Sequence, residues 1–304
     1  MADKFTFKQF QAQYRDDDAC LQAIFQRRFG DKPTCPGCGV IGTTFHKITK
    51  RRAYACAQCG HHLFPCAGTV FEHSSTSLTL WFHAMYLMTA TRNGVSAKEL
   101  QRQLGVTYKC AWRIGHQLRD LMAKRARAIN PGPLEGHVEV DETWVGGKRR
   151  RTNKGKHVLD NKTPVMGLLQ RGGPLKVRVI KDNSVLVLVP QVMDNVAPGS
   201  TVSTDEWRAY KSLAQLGYIH GTVKHQSEEW KNGIHHTNGI EGFWSHLKRG
   251  ISSTHVAVSR KHLQRYVDEF AFRYNNREAP AEMFHRLLTQ IAPPARGKGM
   301  ICKD

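Results

Sequence analysis

Apolar and polar residues alternate with a period of two through HVEVDETWVGG, from His137. That pattern predicts a half-buried strand with Val138 and Val140 on one side and Glu139, Asp141 and Thr143 on the other. TPVMGLLQ and LKVRVI, joined across Arg-Gly-Gly-Pro, read as a hairpin. SVLVLVPQVMDNV fits a strand or a helix by composition, with Ser184 as a cap and Asn195 near its end favouring the helix, and PGSTVSTD fits a short strand. EWRAYKSLAQLG follows as a predicted helix closed by Gly217, and two more helices span 238–250 and 259–275. On the first of these two, Asn238, Glu241, Ser245 and Lys248 share one stripe, and Ile240, Phe243, Trp244 and Leu247 form the opposite, buried one. The second turns Leu263, Tyr266, Val267, Phe270 and Tyr274 inward and shows Arg260, Lys261, Arg265 and Arg273 elsewhere. Strands interleaved with helices in this way predict a mixed α/β layer.

Upstream the pattern changes. Residues 1–30 read as a helical lead, 31–73 hold paired cysteines among Gly, Pro and aromatic residues, and 74–128 are helical. Ala128-Ile-Asn-Pro-Gly-Pro133 reads as a linker, since Pro cannot continue a helix and Gly tolerates the turn. The α/β domain then occupies 135–278, and 279–304 a C-terminal helix with a mobile tail. Within the helical region, Ser96 and Glu99 form a capping box, Leu100 and Leu104 face inward, Gly105 makes a turn, and Thr107 caps a second helix carrying Lys109 and Arg113. This is a helix-turn-helix pattern whose second helix suits the major groove of DNA; an ordinary helical hairpin is the simpler reading of the same residues.

Charge favours the first alternative. The 304 residues carry 45 Lys and Arg against 25 Asp and Glu, a formal net charge of +20. Such a chain prefers a polyanion, because each neutralised phosphate releases condensed counterions. Six Trp and thirteen Phe, with 40% apolar residues, are ample for a packed core. The first residues lack a secretory signal, and runs such as VLVLV are far below the roughly 20 residues of a spanning helix, so a cytoplasmic protein associated with the nucleoid, with no membrane partner, is expected.

Cys35-Pro-Gly-Cys38 and Cys56-Ala-Gln-Cys59, separated by 17 residues, have the spacing of a structural zinc site in which two knuckles each offer two thiolates. With all four ligands used, this one Zn²⁺ folds the domain and leaves no open position for chemistry. His46, His61 and His62 are surplus, Cys20, Cys66, Cys110 and Cys302 are expected to be free thiols, and Lys47, Lys50, Arg51, Arg52 and Tyr54 form a basic, aromatic surface facing DNA.

Three acids remain. Asp141 lies in a strand, Asp205 ends another before a helix, and Glu241 stands in the first turn of a third element, where Asn238 and Glu241 fit a capping box. Each alone reads as a strand residue or a cap. Together they form a set able to hold two divalent cations about 3.5–4 Å apart at a phosphodiester. Lys248 lies seven residues after Glu241 on the same stripe, suited to a phosphate, with Arg249 beside it. Lys148, Arg149, Arg150 and Arg151 follow Asp141 closely enough to hold DNA near it.

Read together, TCPGCG, YACAQCG, GTVFEHSS, the 96–114 helices, VEVDETWVGGK, STDEW, HHTNGIEGFWSHLKRG and KHLQRYVDEFAFRYNNR resemble the ribonuclease H-like DDE transposases of bacterial insertion sequences, in the group with an N-terminal zinc ribbon. The resemblance covers nearly the whole chain. It implies an α/β ribonuclease H-like core behind a zinc ribbon and a helix-turn-helix, and a D-D-E-K site of Asp141, Asp205, Glu241 and Lys248 with two Mg²⁺ or Mn²⁺. Members with Asn as the third metal-site residue make Asn238 the alternative to Glu241. It further implies binding of double-stranded DNA at terminal inverted repeats, strand cleavage and strand transfer, and a homodimer or higher oligomer in the synaptic complex. An inert DNA-binding regulator and a nuclease without strand transfer are the rival readings.

Overall fold

Thr6 opens α1 (Phe7–Gln13) with a capping box: its hydroxyl accepts from the Gln9 N–H, and the Gln9 amide oxygen accepts from the Thr6 N–H. Asp16 caps α2 (Asp17–Phe29), while its neighbour Asp17 accepts the Leu78 and Thr79 N–H groups at the start of α3 (Leu78–Ala90). This computed structural model describes residues 5–129, 132–146, 162–223 and 233–291. Lys148 to Arg151 and most of the tail therefore lie outside the described residues, as do Asn130 and Pro131 of the linker.

The chain divides into two compact units. One contains the described residues of Met1–Ala90, Leu100–Gln117 and Ala279–Asp304, the other those of Thr91–Glu99 and Leu118–Glu278. In the first, β1 (Phe45–Lys47), β2 (Tyr54–Cys56) and β3 (His62–Leu63) form an antiparallel sheet carrying the cysteine knuckles. Its aromatic core joins distant parts of the sequence. Phe284, on the helix Met283–Ile291, packs against Phe10, Tyr14 and Phe82 with ring centroids 5.3–6.0 Å apart. The helices α4 (Ala97–Leu104) and α5 (Tyr108–Ile129) contribute to both units. The turn between them is as expected: the Glu99 N–H bonds the Ser96 hydroxyl, Gly105 takes φ 64°, and the Cys110 N–H bonds the Thr107 hydroxyl.

The second unit is a five-stranded mixed sheet. β4 (His137–Gly146) pairs antiparallel with β5 (Lys162–Gln170), which pairs antiparallel with β6 (Leu175–Val179). On its other side β4 runs parallel to β7 (Thr201–Asp205), and β7 to β8 (Ile219–Val223), so the order is β6-β5-β4-β7-β8. The predicted alternation sorts the two faces. Val138, Val140, Met166, Leu168 and Val202 meet Leu188 and Val192 of α6 (Val185–Asn195). Val145, Val165 and Leu169 meet Ile240, Phe243, Trp244 and Leu247 of α7 (Asn238–Gly250), together with Leu263, Val267 and Phe270 of α8 (Arg260–Asn275). Burial of either apolar set contributes about 25 cal/mol per Å², enough to fix the register against a one-residue slip. The C-terminal helix Met283–Ile291 is α9.

Three expectations need correction, and one strand was missed. EWRAYKSLAQLG is not one helix but two 3₁₀ turns, Arg208–Tyr210 and Ala214–Leu216, before Gly217 at φ 88°. The parallel return from β7 to β8 leaves about a dozen residues, and burying Ala209, Tyr210 and Leu213 beside α6 uses them up. Strand β8 itself went unpredicted. Thr237, not Asn238, is the N-cap of α7, and its hydroxyl donates to Glu241 Oε1 at 2.7 Å. Finally, Arg52 and Tyr54 do not form a DNA-facing surface: Arg52 donates to the Ser74 and Thr76 carbonyls, and Tyr54 is buried with its hydroxyl on Gln22.

Candidate active site and metal centre

Parallel pairing brings the first two acids together. The β4–β7 register runs His137–Thr201, Val138–Val202 and Glu139–Ser203. Asp141 and Asp205 stand two residues beyond that last pair, on the face shared by Glu139 and Ser203. Adjacent paired strands lie about 4.8 Å apart, and beyond the last pair the charge of Asp205 still acts on Asp141. The same face receives α7. Trp244 donates its indole N–H to Asp141 Oδ2 at 3.0 Å, and Gly167, opposite Asp141 on β5, has no side chain because a Cβ there would lie 2.7–2.8 Å from Ile240 and Trp244. Glu241, in the first turn of α7, is half-buried; Asn238 and Lys248 are exposed.

The third acid is felt electrically. Burial, then the charge of Asp205, then that of Glu241 push Asp141 up to about 6 against the lowering bonds from Trp244 and the Glu142 N–H. Glu142, which sequence reasoning passed over, is pushed up to about 9 by burial and by Asp141 and Asp205, and its buried Oε1 has no hydrogen-bond partner among the described residues. Neighbouring half-buried carboxylates repel one another, and a cation among them relieves that cost. Asp141, Asp205 and Glu241 supply hard oxygen donors, the kind that Mg²⁺ or Mn²⁺ prefers, so the residues fit a divalent ion by donor type, although their oxygens are not gathered as closely as the cysteine sulfurs are.

The cysteines are tighter still. Among the described residues, Cys35, Cys38, Cys56 and Cys59 are the one group of three or more such side chains whose ligand atoms all lie within 4.8 Å of one another. Sulfurs of Cys35 and Cys59 are 3.6 Å apart and those of Cys38 and Cys56 3.9 Å. A tetrahedron with Zn–S bonds of about 2.3 Å has edges of about 3.8 Å, so the four sulfurs already outline a zinc site. His61 packs over Gly37 in the first knuckle and is not among the gathered ligands.

Residues 133–275 match the ISXO2-like transposase domain, and residues 15–62 match the transposase zinc-ribbon domain. An uncharacterized protein in transposable element ISH50 of Halobacterium salinarum is 31% identical over 269 residues, covering 82% of this chain and 88% of that protein. The chain belongs to the ISXO2-like DDE transposases. An uncharacterized transposase-like protein of Haemophilus influenzae is 29% identical over 105 residues, 34% of this chain and 84% of that protein. Among solved structures, a pre-cleavage Mos1 transpososome is similar at 11% identity with a TM-score of 0.28, over 71% of this chain and 80% of that one. A likeness that low leaves the fold to be argued from the sheet itself.

In this transposase the basic residues picked from the sequence are in part visible. Lys109, Arg113, Lys248 and Arg249 are exposed; Arg113 stands over the ring of buried Trp81, 5.8 Å from its centroid. No helix among the described residues is long and apolar enough to cross a membrane. Two residues of the face were missed. Glu139 is buried beside Asp141, and Arg171, just beyond β5, donates to it at 2.9 Å. The alternation places Glu139 correctly, but its partner stands 32 residues on and carries no local signature.

Proposed function

We propose that this chain binds double-stranded DNA at the terminal inverted repeats of its element, through the zinc ribbon and the α4–α5 turn, and cuts and joins strands at Asp141, Asp205 and Glu241. The observation that carries the proposal is the acidic face itself: Asp141 and Asp205 each two residues beyond the last β4–β7 pair, with Asp141 pushed up to about 6 by burial and by both other acids. Asp141, Asp205 and Glu241 would hold divalent cations, two Mg²⁺ or Mn²⁺. Bound there, these supply charge neutralisation at a phosphodiester and activation of the attacking oxygen.

The residues divide the remaining work. Trp244 orients Asp141, and the Thr237 hydroxyl orients Glu241. Glu241 is preferred to Asn238 as the third member because its charge is felt at Asp141 and an anionic oxygen binds a hard cation better than an amide does. Lys248, two turns along α7, is placed to receive a phosphate. In cleavage, water attacks phosphorus and the bond to the 3′ oxygen breaks, leaving a 3′-hydroxyl. In joining, that hydroxyl attacks a target phosphodiester, one P–O bond forming as another breaks, with no covalent link to protein. Joining two ends calls for a homodimer or higher oligomer.

Incubation of the full chain with labelled end DNA and Mg²⁺ should give cut and joined products, both abolished in Asp141→Asn and Asp205→Asn while end binding persists. Binding without cutting in either Mg²⁺ or Mn²⁺ would identify an inert regulator, and cutting without joining a nuclease. For the ribbon, folded protein should carry one zinc per chain; a ratio near zero removes that metal.

A further inference from the structure

Helix α7 begins where four hydrogen bonds from one side chain end. Arg171 donates Nε to Glu139 Oε1 (2.9 Å), one terminal nitrogen to His137 Nδ1 (3.0 Å) and the Ile234 carbonyl (2.7 Å), and the other to the His236 carbonyl (2.9 Å). A guanidinium only donates, so Nδ1 of His137 is an acceptor and its proton sits on Nε2. That nitrogen is 2.7 Å from the Ser203 hydroxyl, which is 2.9 Å from Nδ1 of His235. The first donor sets two directions, Arg171 to His137 and His137 to Ser203, and the Ser203 hydroxyl keeps a proton that it can donate to Nδ1 of His235.

Glycines let the clamp close. A Cβ at Gly221, the β8 neighbour of Ser203, would lie 2.3 Å from the His235 ring, and one at Gly239 would lie 2.9 Å from Glu139 Oε2. Glu139 takes the Ile240 N–H at 3.0 Å as well as Arg171, so a buried carboxylate sits at the amino end of α7, where the helix dipole favours it. These bonds fix residues 234–240 against the sheet from both sides of Glu139, and Glu241 is the next residue.

The geometry points to Arg171 as a positioning residue: through Glu139 and the His137–Ser203–His235 relay it sets where α7 starts, and so where Glu241 stands relative to Asp141. This rests on the reading of Asp141 and Glu241 proposed above. A guanidinium is suited to the task because one rigid fork binds four acceptors in a single geometry.

Three readouts on the full chain test it. Nitrogen-15 spectra of the imidazoles in wild type should show His137 protonated on Nε2, with Nδ1 of His235 unprotonated. Arg171→Met should weaken Mn²⁺ binding to protein that holds its ribbon zinc but no other divalent ion, followed by the electron paramagnetic resonance of free Mn²⁺, by on the order of tenfold or more. The same variant should lower kcat for end cutting by on the order of tenfold to a hundredfold, with KM for end DNA within about twofold. Gly221→Ala, which keeps Arg171 and displaces His235, should shift Mn²⁺ affinity and kcat in the same direction by less, and it carries the test if Arg171→Met does not fold. A His137 proton on Nδ1, wild-type Mn²⁺ affinity in both variants, or a loss confined to KM would each overturn the assignment, the last by making Arg171 a DNA contact. Should wild type never cut DNA, the transposase proposal fails, while the tautomers and Mn²⁺ affinity still decide the clamp.

Discussion

Glu269 on α8 and Asp141 on β4 are both carboxylates taken out of water, and their surroundings differ in sign. Glu269 accepts from Arg119 and Arg273, each at 2.6 Å; against a burial that would raise it, the two guanidiniums hold it down to about 2. Arg119 also lies over the Tyr266 ring, and Gly94 leaves room for the carboxylate, since a Cβ there would lie 2.6 Å from it. Asp141 has acids for neighbours and is pushed up to about 6. Within one unit, the charges that act on the first acid are cations and those that raise the second are other acids. A buried acid paired with guanidiniums holds helices together, and an acid raised by other acids is a candidate for function.

The comparison breaks most sharply on activity. Asp141→Asn and Glu241→Gln should each slow end cutting on the order of a thousandfold, about 4 kcal/mol of barrier, with end-DNA affinity nearly unchanged. Asn238→Ala should cost on the order of tenfold; a rate series in which Asn238→Ala is the severe variant and Glu241→Gln the mild one hands the third position to Asn238. Glu269→Ala should act on folding instead. Removing the carboxylate of a buried ionic set leaves two guanidiniums without their counter-charge, a cost of about 3–5 kcal/mol, read as a lowered denaturant midpoint with wild-type cutting by the fraction still folded.

Legibility in the sequence followed the same division. Helix α7 was readable because it buries one clean face and β4 because its residues alternate, although helices cover both faces of β4, and the acids stood where periodicity placed them. Strand β8 was not, because IHGTV is an edge strand with Gly221 at its centre and Ile219 61% exposed. Trp207, Tyr210 and Leu213 repeat at helical spacing, yet the short crossover between parallel strands prevailed over that propensity. Arg273 looked like a surface charge and is buried against Glu269, four residues earlier on α8. Glu139 and Arg171 were invisible as a pair because their contact belongs to the tertiary fold.

The smallest expected effect separates the two acids most cleanly, because their linkage signs are opposite. Asp141 has a folded value raised from 3.8 to about 6, so the stability it contributes when protonated is full below about 4, declines as pH rises to about 6, and is absent above. At pH 8, without divalent ions, Asp141→Asn should therefore be more stable than wild type by about 1–3 kcal/mol, roughly 2–4 °C in Tm for each kcal/mol. The amide oxygen can still accept from Trp244, so packing is kept. Glu269 runs the other way: lowered from 4.5 to about 2, it contributes stability above 4.5 that is lost as pH falls toward 2, and Glu269→Gln should flatten that acid limb alone. Mn²⁺ should then raise the Tm of wild type and of Glu269→Gln but not of Asp141→Asn, since only a site that binds the ion in the folded state gains from it. An Asp141→Asn protein that is less stable than wild type at pH 8, or one stabilised equally by Mn²⁺, would mean that Asp141 is compensated after all and that its face is structural.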